Sequence, residues 1–218
     1  GIAKVYTDIE RSLGQTAAVA GWTAKELKEV ENVVRSTATT TAADFQGATA
    51  AMYDFASAGI DIAENTKLYT DTLNMAVGVG GNFSEAVQLM SASMRQFGID
   101  FSESEKVADA FADAVSGSMA TLGKLQASFR QVGAVAGSLD QDFYEIVGSL
   151  KELYNQGLQG EQAGTALRAI FARLAAPSGE ATAAIRELGL SLEDIDPSKV
   201  GLNEIIAQFE KVEPTARQ

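Results

Sequence analysis

The 218-residue chain contains no cysteine and no histidine. Without thiols there is no disulfide framework and no thiol nucleophile. Without imidazole there is no histidine-based triad and little scope for a zinc site. Proline occurs three times, aromatic residues make up 7%, and Trp22 is the single tryptophan. No run of about 18 apolar residues is present to span a bilayer. Cations are scarce: 17 Lys and Arg face 29 Asp and Glu, a formal charge of −12. From Asp54 to Asp113 the positive side chains are Lys67, Arg95 and Lys106 alone. Such a field repels phosphate backbones and anionic headgroups, which argues against general nucleic-acid binding and against docking on acidic lipid. With 46% hydrophobic and 21% charged residues, the chain has enough apolar material for a folded core. Nothing at the start resembles a signal peptide, and Gly1-Ile2 reads as a cut end, so a longer parent protein is expected.

What is abundant is helical periodicity. Ile2, Val5, Tyr6, Ile9 and Leu13 recur at one-face spacing, as do Phe83, Ala86, Val87, Met90, Met94 and Phe97. Val107, Ala110, Phe111, Ala114 and Val115 form another stripe, and Leu122, Leu125, Phe129, Val132 and Ala136 the next. Phe143, Ile146, Val147 and Leu150 follow, then Ala163, Leu167, Ile170, Phe171 and Leu174. No stretch alternates with period two, so the fold class is all-α. Capping-box pairs are expected at Thr23/Glu26, Asp61/Glu64, Asn82/Glu85, Ser102/Glu105 and Asp142/Glu145. Glycine stops are expected at Gly59, Gly80/Gly81, Gly98, Gly117, Gly137 and Gly157. The predicted helices are 2–13, 23–36, 42–58, 62–77, 83–97, 103–116, 119–136, 142–155, 161–175, 179–188 and 202–212.

Gly59-Ile60-Asp61, Gly98-Ile99-Asp100 and Gly137-Ser138-Leu139-Asp140 begin 39 residues apart, and a second helix starts about 24 residues into each unit. Two short helices and two loops fit that length, so the chain is a compact domain of about ten short helices in serial αα-hairpins. Gly21-Trp22 opens a looser first copy. The mixed polarity of the stripes favours a bundle with irregular crossings. Gly133 to Gly137 and Gly160 to Gly164 both read G-x-x-x-G, the spacing of close helix crossings.

Reactive constellations are thin. Gly78-Val79-Gly80-Gly81-Asn82-Phe83 is rich in glycine but follows a helix and lacks a Walker lysine, so it reads as a hairpin turn. Glu105, Asp109 and Asp113 share one helix face opposite Val107 and Phe111, which is a solvated face by default and matches no calcium loop. Asp140, Asp142 and Glu145 read as helix-start chemistry, and Glu193, Asp194 and Asp196 as an acidic turn before Pro197. A carboxylate pair among Glu103, Glu105, Asp109 and Asp113 is the enzymatic alternative, but glycoside hydrolysis also needs a cleft and aromatic platforms. Arg168 and Arg173 flank the Leu167/Phe171 stripe. Their stems are expected to cover the core edge while the guanidinium groups reach carboxylates or carbonyls at helix ends. No catalytic, cofactor-binding or metal-binding residue is assigned, and the chain reads as non-enzymatic.

The run Gly164-Thr165-Ala166-Leu167-Arg168-Ala169-Ile170-Phe171-Ala172-Arg173-Leu174-Ala175-Ala176-Pro177 closely resembles the hallmark segment of phage tail tape-measure proteins. Gln96-Phe97-Gly98-Ile99-Asp100 and Val107-Ala108-Asp109-Ala110-Phe111-Ala112 resemble the family's middle stretch, and Ile185-Arg186-Glu187-Leu188-Gly189-Leu190 its sequel. The similarity covers about residues 20–212. It divides the chain into an N-terminal helix at 1–20, read as the end of a longer helical segment, a tape-measure-like core at 21–190, and an acidic turn with a last helix at 191–218. The resemblance implies a structural protein of the virion tail of a phage or prophage, present in the host cytoplasm during assembly, that sets tail length. Its implied partners are tail-tube subunits, baseplate or tail-tip proteins and tail assembly chaperones, with homo-oligomerisation in the tail and membrane contact confined to ejection. Phe97, Gly98, Gly164, Thr165, Ala166, Leu167, Arg168, Arg173, Leu174 and Pro177 are the motif positions expected to matter for structure or contact. A peptidoglycan-hydrolase or membrane-active module of a tail protein is the alternative.

Overall fold

A computed structural model of the chain describes residues 2–40 and 44–212. These form α1 Ile2–Ala20, α2 Ala24–Thr40, α3 Phe45–Ser57, α4 Thr66–Gly78, α5 Phe83–Gln96 and α6 Ser104–Ser116. They continue as α7 Leu122–Ser138, α8 Phe143–Asn155, α9 Glu161–Ala175, α10 Gly179–Glu187 and α11 Leu202–Val212. Single 3-10 turns cover Phe101–Glu103 and Glu193–Ile195, and no strand occurs among the described residues. The stripe side chains of Ile2, Val5, Tyr6 and Ile9 and the expected helix start at 42 lie outside what is described, as do Gly1 and residues 213–218.

Helices two apart in the chain pack most heavily. The odd-numbered helices α1, α3, α5, α7 and α9 form one layer, each lying on the next. The even-numbered helices α2, α4, α6 and α8 form a second layer over it. Successive hairpins therefore stack side by side, and the substantial helix–helix contacts join only near neighbours in the chain. This overturns the expectation of an irregularly crossed bundle. Short amphipathic hairpins have one greasy side for the partner helix and another for the next hairpin, so stacking is the arrangement that buries both.

The period holds in space. Helices α5, α7 and α9 begin at Phe83, Leu122 and Glu161, each 39 residues after the last. Side chains at nearly that separation bond across adjacent hairpins: Lys67 to Glu105 at 2.8 Å, Lys151 to Asp113 at 2.6 Å, and Gln126 to Gln88 at 2.5 Å. The interior of the stack is continuous from Leu13 to Phe171. At its centre Phe111 meets Phe129 and Phe143 edge-on, with ring centroids 5.4 and 5.3 Å apart, and Phe97 leans on the same pair. Each such buried ring contributes about 1.5–3 kcal/mol by leaving water. A second, smaller cluster gathers Ile185, Ile195 and Ile205 with Leu174 and Phe209.

Several local expectations changed. α1 runs through Gly14 to Ala20 instead of ending at Leu13, because Thr16 is also buried and its hydroxyl bonds the Ser12 carbonyl. The reciprocal capping box is complete at Thr23/Glu26. At Asn82/Glu85 and Asp142/Glu145 the capping residue accepts from the Glu backbone N–H. At Asp61 the carboxylate instead holds a turn through Ala63, and α4 starts later, at Thr66. Ser102 is no cap either: Asp100 accepts from its N–H, and Glu105 turns away to Lys67. Gly137 does not stop α7. The helix runs one residue further, and the left-handed position that Gly59 and Gly98 occupy in the earlier units passes to Asp140, at φ 56°.

Candidate functional site

The Gly164–Pro177 run forms most of α9 and its exit. Gly164 lies where α9 crosses α7: a β-carbon there would sit 2.7 Å from Ser128 Cα. Ser128 in turn places its hydroxyl 2.6 Å from the Tyr154 hydroxyl and donates to the Gly160 carbonyl at 2.5 Å. Burial pushes the Tyr154 phenol up from its ordinary value. One junction therefore ties α7, α8 and the start of α9 together. Leu167 and Phe171 are buried in the stack, and Leu174, Ala166 and Pro177 are half-buried. The other G-x-x-x-G pair works similarly: a β-carbon on Gly137 would lie 2.9 Å from the Gln96 carbonyl carbon. Gly160 stands outside the helix at φ 56°, so it serves the turn and not the crossing.

The remaining motif positions face outward. Thr165, Arg168 and Arg173 are exposed. Contrary to expectation, neither guanidinium group forms a hydrogen bond or ion pair among the described residues. Phe97 is half-buried in the aromatic cluster, and Gly98 supplies the left-handed turn after α5, at φ 64°.

The acidic face of α6 is solvated as its spacing indicated, with Glu105, Asp109 and Asp113 all exposed. Lys67 bonds Glu105 and holds its carboxyl below the ordinary range, while Lys151 pairs with Asp113. A carboxyl held down in this way, as at Glu105, does not suit a general acid, which needs a raised pKa. Among the described residues no group of three or more acidic side chains is placed to hold a metal, and no helix is long and apolar enough to cross a membrane. Gly80 adopts φ 63° in the turn between α4 and α5, with Gly81 N–H donating to the Ala76 carbonyl, as in an ordinary helix stop.

Two surface features were not read from the pattern of residues. Charge is sorted by layer: α5, α7 and α9 carry Arg95, Lys124, Arg130, Arg168 and Arg173 against Glu85 and Glu161. Helices α4, α6 and α8 carry six acids against Lys67, Lys106 and Lys151. The second feature is an open apolar groove of about 710 Å³ between α8, α9 and α11. Leu167, Leu174, Leu202, Ile205 and Phe209 line it, and Asp142, Glu145 and Glu152 stand along it. Ile170, expected on the core stripe, is 42% exposed and faces this groove. The available signal was the width of the α9 stripe: Leu167, Ile170, Phe171 and Leu174 span more than the face that α7 can cover.

Residues 23–215 match the family described as phage-related minor tail protein. The chain is similar to the tape measure protein of Pneumococcus phage Dp-1, with 30% identity over 206 residues that cover 94% of this chain and 18% of that protein. It is also similar to the probable tape measure protein of Escherichia phage P2, at 26% over 190 residues, 85% of this chain and 23% of that protein. The chain thus spans about a fifth of the length of these curated relatives. No solved structure matches it significantly.

Proposed function

The chain belongs to the phage-related minor tail protein family, and from that premise we propose that it is a structural module of a phage or prophage tail tape-measure protein. Its work is tail assembly and tail-length determination through contacts of its helix faces, in the virion tail and, before that, in the host cytoplasm. Tail-tube subunits, baseplate or tail-tip proteins, assembly chaperones and further copies of the same protein are the partners this reading names. Membrane contact belongs to ejection only.

The observation that carries the reading is similarity along nearly the whole chain to proteins named for tape measurement, combined with a surface made of helix faces. As one helix, 218 residues would reach roughly 330 Å. Here the longest described helix has 19 residues. Folded this way the segment cannot itself be an extended ruler, so its part in length determination is to anchor or nucleate a longer element of the parent protein. Within the motif, Gly164, Leu167 and Leu174 serve packing, while Thr165, Arg168 and Arg173 are the contact positions. A hydrolase reading has little support, since the acids it would use are exposed and Glu105 is held ionised by Lys67.

Deleting residues 21–190 in frame from the parent phage gene and imaging the lysate by electron microscopy tests the proposal. Missing tails or tails of abnormal length are expected. Normal tails with full infectivity would refute it. Release of fragments from peptidoglycan by the purified chain would replace it with the enzymatic reading.

A further inference from the structure

The even layer of the stack is incomplete at its C-terminal end. α4 lies between α2 and α6, and α6 lies between α4 and α8. Beyond α8, the next even helix in register is α10, but α10 makes no substantial packing contact with α8. Instead Ile185 of α10 packs with Ile195 and Ile205 in the small cluster. α11 touches α8 lightly: Leu202 is buried and the Asn203 N–H donates to the Glu145 carboxylate at 3.2 Å. The place of one more helix is therefore only half filled, and the groove is what remains.

Its chemistry is one-sided. The groove gathers three large, exposed apolar or aromatic side chains in one place: Ile170, Ile206 and Tyr144, at 42%, 44% and 43% exposure. Asp142, the N-cap of α8, and Glu145 and Glu152 along it face the groove, and none of them is ion-paired among the described residues. Among the described residues, no cation lines the groove. Between Asp142 and Gln156, α8 offers roughly 20 Å of wall, the length of a helix of about 14 residues.

We propose that this groove takes an amphipathic helix of another protein, with leucine-like residues on its inner face and lysine or arginine on its flank. The inner face replaces the missing even helix by burying Ile170 and Ile206, and the cations neutralise the row of carboxylates on α8. The mode is helix in groove, in which apolar anchors supply affinity and charge sets orientation. This rests on the reading that the module acts through helix faces. The phage deletion tests that reading, and the titration below tests the groove, so either can fail alone.

The test uses the full chain and two fluorescein-labelled 14-residue peptides. Both carry Leu at i, i+3, i+4, i+7 and i+11; one carries Lys on the flank, the other Glu. Anisotropy titrations are expected to show saturable binding of the Lys peptide at least tenfold tighter than the Glu peptide. The pair Ile170→Ser and Ile206→Ser, both at exposed positions, should weaken it at least tenfold with helicity by circular dichroism unchanged. Since this pair leaves net charge alone, the loss separates groove binding from diffuse attraction to an acidic protein. Asp142→Asn with Glu152→Gln should weaken it about threefold or more and flatten its salt dependence, asparagine retaining the cap on α8. Equal affinity for the two peptides, or Lys-peptide binding untouched by the serine pair, overturns the proposal. Concentration-dependent dimerisation in sedimentation that the serine pair abolishes also overturns it, by giving the groove to a second copy.

Discussion

Gly164→Ala is expected to destabilise this protein even though it raises helix propensity. In an unobstructed helix interior the change gains about 1 kcal/mol. At Gly164 the new methyl group would lie 2.7 Å from Ser128 Cα and 2.8 Å from Ser128 carbonyl carbon. Ordinary carbon contacts are about 3.5–4.0 Å. Both atoms belong to the backbone of α7, so no side chain can swing clear and α9 must retreat by roughly 1 Å. That retreat loosens Leu167 and Phe171 and stretches the Ser128–Gly160 bond. Overpacking of this kind costs about 1–3 kcal/mol. After the propensity gain, a net loss of up to about 2 kcal/mol is expected, or a Tm lower by up to about 8 °C for a domain of this size. Gly148→Ala is the internal control. It stands exposed in the middle of α8, with nothing within 4 Å of a built β-carbon, and should stabilise by about 0.5–1 kcal/mol. Thermal melts followed by circular dichroism at 222 nm read both signs. Gly164→Ala melting above the unmodified protein, by as much as Gly148→Ala does, would refute the close crossing of α7 and α9.

Other outcomes follow from burial and charge. Phe111→Ala should cost about 3–5 kcal/mol and Leu167→Ala about 2–5 kcal/mol, because both are buried in the stack, while exposed Asp109→Ala should be near neutral. A urea series with the reverse ranking would mean the faces of α6 are inverted. Stability should be flat from about pH 5 to 9, since the chain has no histidine or cysteine to titrate there. Glu26, Asp100, Glu105 and Asp196 are held below their ordinary values, Glu26 by the Thr23 N–H, Asp100 by Ser102, Glu105 by Lys67 and Asp196 by Ser198. Their contribution is therefore present above the unfolded carboxyl range and lost as pH falls through the folded values, so melting temperature should drop in acid below about pH 4. Burial raises Tyr69 and Tyr154, so the opposite limb should appear above about pH 10. A melting temperature that steps between pH 5 and 8 would contradict both statements.

The sequence by itself determined the helices and their punctuation. The i, i+3, i+4 stripes and the capping oxygens act within one or two turns, so ten of the eleven described helices could be placed to within about four residues. Local signals failed where a distant group competed. Asp61 and Asp100 spent their carboxylates on turns, and Glu105 and Glu145 were drawn to Lys67 and Asn203. Gly137 looked like a stop because glycine is permissive, but what it does is let α7 pass against the Gln96 backbone. A 39-residue period could say that hairpins follow one another, not whether they close or stack. That choice depends on which second face each helix buries, a property shared between helices far apart in the chain. The groove is the clearest case. Ile170 carries the same hydrophobicity as a core residue, and only the departure of α10 from register leaves it at the surface. Hydrophobic spacing tells a helix which side to hide; what lies opposite that side is settled by the packing of the whole stack.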